Sequence, residues 1–381
     1  MTGPIEPGPI EIETVHMTVS SRDPSVVREQ LEAWIGTQLD GASDLAVSDL
    51  EGTEANGMSS DTVLFNARWS DGKGTHDERL VARIAPDTKD VPVFPTYDLQ
   101  GQFDVIRSVA SLTKVPVPRP WWCEPTGEAL GAPMFVMSRV DGVVPPDVMP
   151  YPFGDNWLHD ATAGQQRTLQ ESTVEAIAAL HDITDAAARM PFLEKQQPGE
   201  THLRRHVANT RAWYDMVARE GAPSGLVERA FDWLDANWPA QESPTVLSWG
   251  DSRIGNVLYD DFRPAALLDW EMAGLGPREL DVAWLVYAHR VFQDITTTLG
   301  LPGMPHFLRP GDVAAHYESL TGYTVRDLRF FMVYCAVQWG IVFLRTGARQ
   351  VHFGEREWPE DRDEIMHNRI HLESLLDDIT T

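Results

Sequence analysis

Basic residues are scarce in this 381-residue chain. Against 57 Asp+Glu stand only 31 Lys+Arg, a formal charge of −26. Phosphate backbones and anionic lipid surfaces are neutralised by Lys and Arg, so nucleic acid and membrane are excluded as expected partners. Cysteine is nearly absent too. Cys123 and Cys335 are far apart and form no CxxC pair, which excludes a disulfide framework or a cysteine zinc site. Long apolar runs are missing: the longest, Phe330 to Leu344, is broken by Gln338 and Gly340 and reads as a buried core helix. The first residues carry acids and prolines where a secretory signal would carry a basic and then an apolar stretch. The expectation is a cytoplasmic monomer or homodimer.

What is present points to a packed protein. Hydrophobic residues make up 43 %, enough for a full core, and the length suits two lobes. Residues 1–22 read as a leader. Asp23-Pro24 is a helix start, and Val27, Leu31, Trp34 and Ile35 follow at helical spacing. Val63, Phe65, Ala67 and Trp69 alternate as in a strand. A turn at 70–74 and a second strand over 80–85 complete an antiparallel hairpin. A helix over 99–112 and a buried strand over 134–137 close an α+β lobe assigned to 23–140. The remainder, 141–381, is mainly helical, with helices expected over 168–181, 201–219, 224–237, 279–293, 310–320, 325–346 and 361–378. A short β interruption falls at 245–270.

That interruption carries the chemistry. Ser248-Trp249-Gly250-Asp251 ends a strand in a turn, Asn256 follows five residues after Asp251, and Asp269 stands at the end of the next hairpin. A turn and a helix cap would use the same residue types singly. The ordered set Asp251–Asn256–Asp269 instead brings two carboxylates and an amide oxygen to one loop edge. These are hard oxygen donors suited to Mg²⁺, with one carboxylate left to accept a hydroxyl proton.

This segment resembles the aminoglycoside phosphotransferase family, the small-molecule branch of the protein-kinase-like fold. Relatives carry His-Gly-Asp-x-x-x-x-Asn and then an Asp-Trp/Phe metal loop; here the residues are Trp249-Gly250-Asp251 to Asn256 and Asp269-Trp270-Glu271. Gly276 to Trp284 looks like the family's following Asp-x-Ala-Trp helix start. The likeness covers roughly 40–350 and is nearest to actinobacterial and acyl-CoA-dehydrogenase-associated members. It implies a bilobal α+β fold: an antiparallel-sheet lobe with a helix, then a larger helical lobe. It also implies a kinase that uses ATP (or GTP) and Mg²⁺ to phosphorylate a hydroxyl group of a small molecule.

Roles carry over residue by residue. Asp251 would orient or deprotonate the acceptor hydroxyl, and Arg253 would neutralise the transferred phosphate or pair with a surface acid. Asn256 and Asp269 would hold Mg²⁺, and Asp281 would brace the loop. Gly57, Ser59 and Ser60 resemble the loop over the phosphates, Arg83 stands where a phosphate-contacting Lys is expected, and Ser138 and Val140 belong to the segment that would meet adenine. Glu271, Trp284, Tyr287 and Arg290 are candidates for the acceptor pocket, as are His289, Trp339 and Arg345. His181 reads as structural. Three departures, Arg83 for Lys, Gln102 for Glu and Trp249 for His, motivate one alternative, a nucleotide-binding pseudokinase. A hydroxyacyl-CoA or other metabolite kinase is a second alternative within the fold, and a metal-dependent hydrolase a remoter third.

Overall fold

The structure, a computed structural model, describes residues 22–52, 61–86, 91–147 and 150–377. The expected phosphate loop with Gly57, Ser59 and Ser60 lies outside these residues, as does the expected leader apart from Arg22.

The first part is built on one sheet. Helix α1 (Pro24–Gln38) is capped by Asp23, whose carboxylate accepts from the Ser25 N–H at 2.9 Å, and buries Val27, Leu31 and Ile35. Strands β1 (Ser43–Val47), β2 (Glu51–Gly52), β3 (Asp61–Asp71) and β4 (Gly74–Ile84) follow. Next come α2 (Leu99–Leu112), β5 (Pro120–Glu124) and β6 (Met134–Ser138). The order across the sheet is β1-β3-β4-β6-β5, all antiparallel, with β2 also on β3. Phe65, Ala67 and Trp69 face the core, as their alternation requires. Arg83 sits on the central strand β4, opposite Thr62 on one side and Phe135 on the other.

The second part is mainly helical. It runs α3 (Ala163–His181), α4 (Ala186–Arg189), α5 (His202–Arg219) and α6 (Gly225–Ala236), then the strands β7 (Thr245–Ser248), β8 (Val257–Asp260), β9 (Arg263–Leu267) and β10 (Gly274–Pro277). Helices α7 (Glu279–Thr298), α8 (Pro310–Thr321), α9 (Leu328–His352) and α10 (Arg369–Asp377) complete it. β8 and β9 form a hairpin, and β7 pairs with β10. These two ribbons hold the loops that bear Asp251 and Asp269. The fold is kinase-like: an antiparallel sheet with its helix, followed by a helical lobe.

Helix α3 starts five residues early, α7 runs five residues long and the short α4 was not expected, but two later helices differ in kind. α9 starts at Leu328, after Asp327 in the left-handed region (φ 50°), and extends to His352. At 25 residues it is long and apolar enough to cross a membrane, but 72 % of its most apolar window is buried by its neighbours. It is packed as a core helix. The helix expected over 361–378 divides into a 3₁₀ turn, Arg362–Ile365, and α10.

Candidate active site

The loop after β7 is held from below by one carboxylate. Asp281, in the first turn of α7, is fully buried. Its Oδ1 accepts from the Ser248 hydroxyl (2.9 Å) and the Gly250 N–H (2.9 Å). Its Oδ2 accepts from the Trp249 N–H (2.8 Å) and lies 2.9 Å from His181 Nε2. Burial alone would raise its pKa. The His181 contact and the two backbone N–H groups outweigh burial and hold the carboxyl below its ordinary value. His181 is fixed in turn by the Tyr317 hydroxyl, 2.7 Å from Nδ1.

Gly250 turns the chain toward Asp251. Its φ is +92°, and a Cβ there would fall 2.3 Å from the Met272 carbonyl oxygen, so only glycine fits. Trp249, fully buried where relatives by resemblance carry His, donates its indole N–H to the Leu268 carbonyl at 2.8 Å and packs on Trp270. The Leu268 N–H donates to the Asn256 carbonyl, also at 2.8 Å. The Asp251 loop and the Asp269 loop are therefore tied together twice.

Asp251 Oδ1 accepts from the Trp284 indole N–H at 2.6 Å, and both its oxygens lie 3.2 Å from Arg253 Nε. Arg253 reaches Asp147 with its other arm. Burial works against the guanidinium charge, but these two carboxylates more than offset it and raise its pKa further. Arg253 is ion-paired, though with the half-buried Asp251 and Asp147 of the site where the sequence suggested a surface acid. Asn256, buried, donates from Nδ2 to the Asp251 carbonyl at 3.0 Å. Asp269 is left-handed, with φ 58°, a region Asp tolerates, and its Oδ1 accepts from Arg83 at 3.1 Å.

Arg83, Ser138, Val140, Asn256 and Asp269 all line one cavity of about 320 Å³ between the sheet and the β8–β9 hairpin. Leu64 and Val81 from the sheet and Leu258 and Leu267 from the hairpin supply apolar walls. At its edge the Ser138 and Arg139 N–H groups are spent on the carbonyls of Arg119 and Arg79. Val140, like Asp141 and Gly142 after it, lines the cavity and has an N–H with no main-chain partner among the described residues. At the polar end, Asp269 and Asn256 offer the hard oxygens that suit Mg²⁺, an ion commonly held by one or two carboxylates plus phosphates. The donor set fits. Among the described residues no group of three His, Cys, Asp or Glu forms a metal cluster.

The remaining candidates scatter. Trp284 touches Asp251 directly and packs on Trp339, with ring centroids 6.1 Å apart. Glu271 follows the Asp269 loop, and its charge adds to the burial that raises the Tyr97 hydroxyl above its ordinary range. Tyr287 is not brought here: its hydroxyl accepts from Asn368, between α7, α9 and α10. Arg290 pairs along its own helix with Asp294. His289 is a packing residue, bonded to the Tyr151 hydroxyl and the Met304 carbonyl. Arg345 is bound to the Pro92 carbonyl and to Glu220. Sequence reasoning missed Asp147; an acid after Pro145-Pro146 carries no local signal of its partner.

Comparison with known proteins agrees with this fold. The model of a phosphotransferase enzyme family matches residues 55–307. A probable acyl-CoA dehydrogenase of Arabidopsis thaliana, IBR3, is 26 % identical over 273 residues, 66 % of this chain and 31 % of that protein. Human acyl-CoA dehydrogenase family member 11 is 25 % identical over 190 residues, 49 % of this chain and 22 % of that protein. The chain thus spans less than a third of the length of these curated relatives. Among solved structures, a protein assigned as an aminoglycoside phosphotransferase from Ralstonia eutropha superposes with a TM-score of 0.62 at 18 % identity, covering 92 % of this chain and 97 % of that one. An aminoglycoside phosphotransferase mutant in ternary complex with AMP-PNP and hygromycin B gives 0.53 at 17 %, covering 93 % and 98 %. At these identities the likeness carries the fold.

Proposed function

The chain belongs to the phosphotransferase enzyme family, and from that premise we propose that it transfers the terminal phosphoryl group of ATP to the hydroxyl of a small molecule, with Mg²⁺ as the metal. The observation that carries the reading is the junction of cavity and loop. Arg83, Asn256 and Asp269 stand at the polar end of the cavity, and Asn256 is hydrogen-bonded to the backbone of Asp251.

The residues divide the work. The apolar walls take the base, and the Val140 backbone is the hydrogen-bonding edge beside it. Arg83 meets the phosphates with a charged fork. Asn256 and Asp269 hold the metal, which when bound neutralises charge on the phosphate oxygens. Asp251 receives the acceptor hydroxyl, orients its lone pair toward phosphorus and accepts its proton. Trp284 fixes the other edge of that carboxylate. Arg253, already beside Asp251, balances charge as phosphate arrives. Positioning and charge supply most of the rate in this chemistry.

The acceptor is read from what flanks Asp251. Trp284 and Trp339 form an aromatic wall, and the nearest charged neighbour is the cation Arg253. A polycationic aminoglycoside would need free acids there, whereas Arg253 already engages both Asp251 and Asp147. A hydroxyl compound with an apolar portion, such as a hydroxyacyl-CoA ester, suits the wall better, and the kinship with proteins named acyl-CoA dehydrogenases supports that choice.

The test is Mg·ATP binding by thermal shift, then ATP turnover on a panel of hydroxyacyl thioesters, sugars and aminoglycosides, in wild type and in Asp251→Ala. The expected result is binding by both and turnover by wild type, reduced at least ~10²-fold in the variant. Binding with no turnover on any acceptor would favour the pseudokinase. Turnover untouched by the substitution would remove Asp251 from the reaction.

A further inference from the structure

Arg83 and Asp269 come from opposite walls of the cavity, and their contact is one carboxylate serving a guanidinium in the place a divalent ion would need. Arg83 is only 8 % exposed. Its Nη2 donates to Asp269 Oδ1 at 3.1 Å, its one ion pair among the described residues. Its Nε is buried and has no hydrogen-bond partner among them.

The reason lies on α2. Gln102 lines the same cavity at 6 % exposure, and a neutral amide cannot balance a guanidinium. The acids to either side are committed elsewhere. Asp98 caps α2 by accepting from the Gly101 N–H at 2.8 Å. Asp104 takes Gln100 at 2.8 Å and Arg107 at 2.7 Å. Asp269 is left as Arg83's counter-ion.

Building on the Mg·nucleotide reading above, we propose that Gln102 makes Arg83 a resident competitor for Asp269, so that metal enters this site with the nucleotide or after it. A divalent ion arriving alone would have to displace a buried guanidinium that has no other anion to turn to among the described residues, which is strongly unfavourable. Nucleotide phosphates change the balance. Their oxygens accept from the guanidinium fork, including the orphaned Nε, and release Asp269 for the metal. Gln102 is thus a positioning residue that acts through Arg83.

The test measures Mn²⁺ binding to nucleotide-free protein by electron paramagnetic resonance, and AMP-PNP binding by calorimetry. It compares wild type, Gln102→Glu, Arg83→Gln and the double variant. An acid on α2 gives Arg83 a second counter-ion, so Gln102→Glu should tighten Mn²⁺ binding without nucleotide about tenfold, the worth of one charge-assisted hydrogen bond. Arg83→Gln should tighten it similarly, and adding Gln102→Glu to that background should gain little more. An equal gain from Gln102→Glu in both backgrounds would reduce the effect to added negative charge and overturn the proposal. So would wild type that binds Mn²⁺ alone as tightly as Arg83→Gln does. Failure of wild type to bind AMP-PNP with or without metal would instead overturn the nucleotide reading, and this proposal with it.

Discussion

His181 Nε2 lies 2.9 Å from Asp281 Oδ2, and neither side chain exposes any surface. This pair is the floor of the loop that carries Asp251, because the same carboxylate takes the N–H groups of Trp249 and Gly250. Replacing Asp281 by Asn removes the anion but keeps the shape. Asn cannot accept all of these hydrogen bonds, and a buried donor left unsatisfied costs roughly 1–3 kcal/mol, so urea unfolding should show a loss of that order. The sign of its pH dependence is fixed as well. The folded-state pKa lies below the ordinary value of 3.8, so the stabilisation is present above about pH 4 and disappears as pH falls through the folded value. The Asn variant should lack that acid limb.

Gly250→Ala tests the turn itself. The left-handed φ and the 2.3 Å approach to the Met272 carbonyl leave no room for a methyl group. A loss of about 2–3 kcal/mol in stability and a collapse of turnover are expected. Gly225→Ala is the control, since a Cβ there meets nothing within 4 Å.

Trp284→Phe keeps most of the aromatic wall and deletes the 2.6 Å hydrogen bond to Asp251. Losing one such bond is worth about 1–1.5 kcal/mol, which predicts a fall in kcat of roughly tenfold. Nucleotide affinity, measured by calorimetry, should not change, because Trp284 does not line the cavity.

Two buried histidines set the response to mild acid. Burial, with help from the Lys195 charge, brings His206 down to about 3, and burial brings His289 down to about 4. Both fold neutral, and the unfolded chain binds the extra protons below its ordinary pKa near 6.5. Stability should therefore fall as pH drops from 6.5 toward 4, by ~1.4 kcal/mol per pH unit for each histidine. Unfolding free energies between pH 7 and 4 in wild type and His206→Gln would show the slope and its reduction.

Much of this was legible because it is local. The Asp23 cap, the alternation of Phe65, Ala67 and Trp69, and the spacing of Asp251, Asn256 and Asp269 are each written within a few turns of chain. Strands β1, β2, β5 and β10 were not foreseen. β10 is Gly274-Leu275-Gly276-Pro277, which has no strand propensity and exists because β7 pairs with it. The contacts that complete the site were hidden by distance. Arg83 meets Asp269 across 186 residues, and Asp147 meets Arg253 across 106. Tyr287 misled for the opposite reason: α7 is buried on nearly every face, so helical spacing alone does not separate its site-facing residues from those packed against α9 and α10.

The two ties between the Trp249 loop and the Leu268 loop have a mechanical meaning. The distance from Asp251 to Asp269 is set within one stiff unit, braced by an indole and an amide. Any widening or narrowing of the cleft leaves that spacing alone and changes only how far the Arg83 arm must reach. The spacing between the Asp251 and Asp269 loops is held constant by these two ties, and the gap spanned by Arg83 is the adjustable dimension.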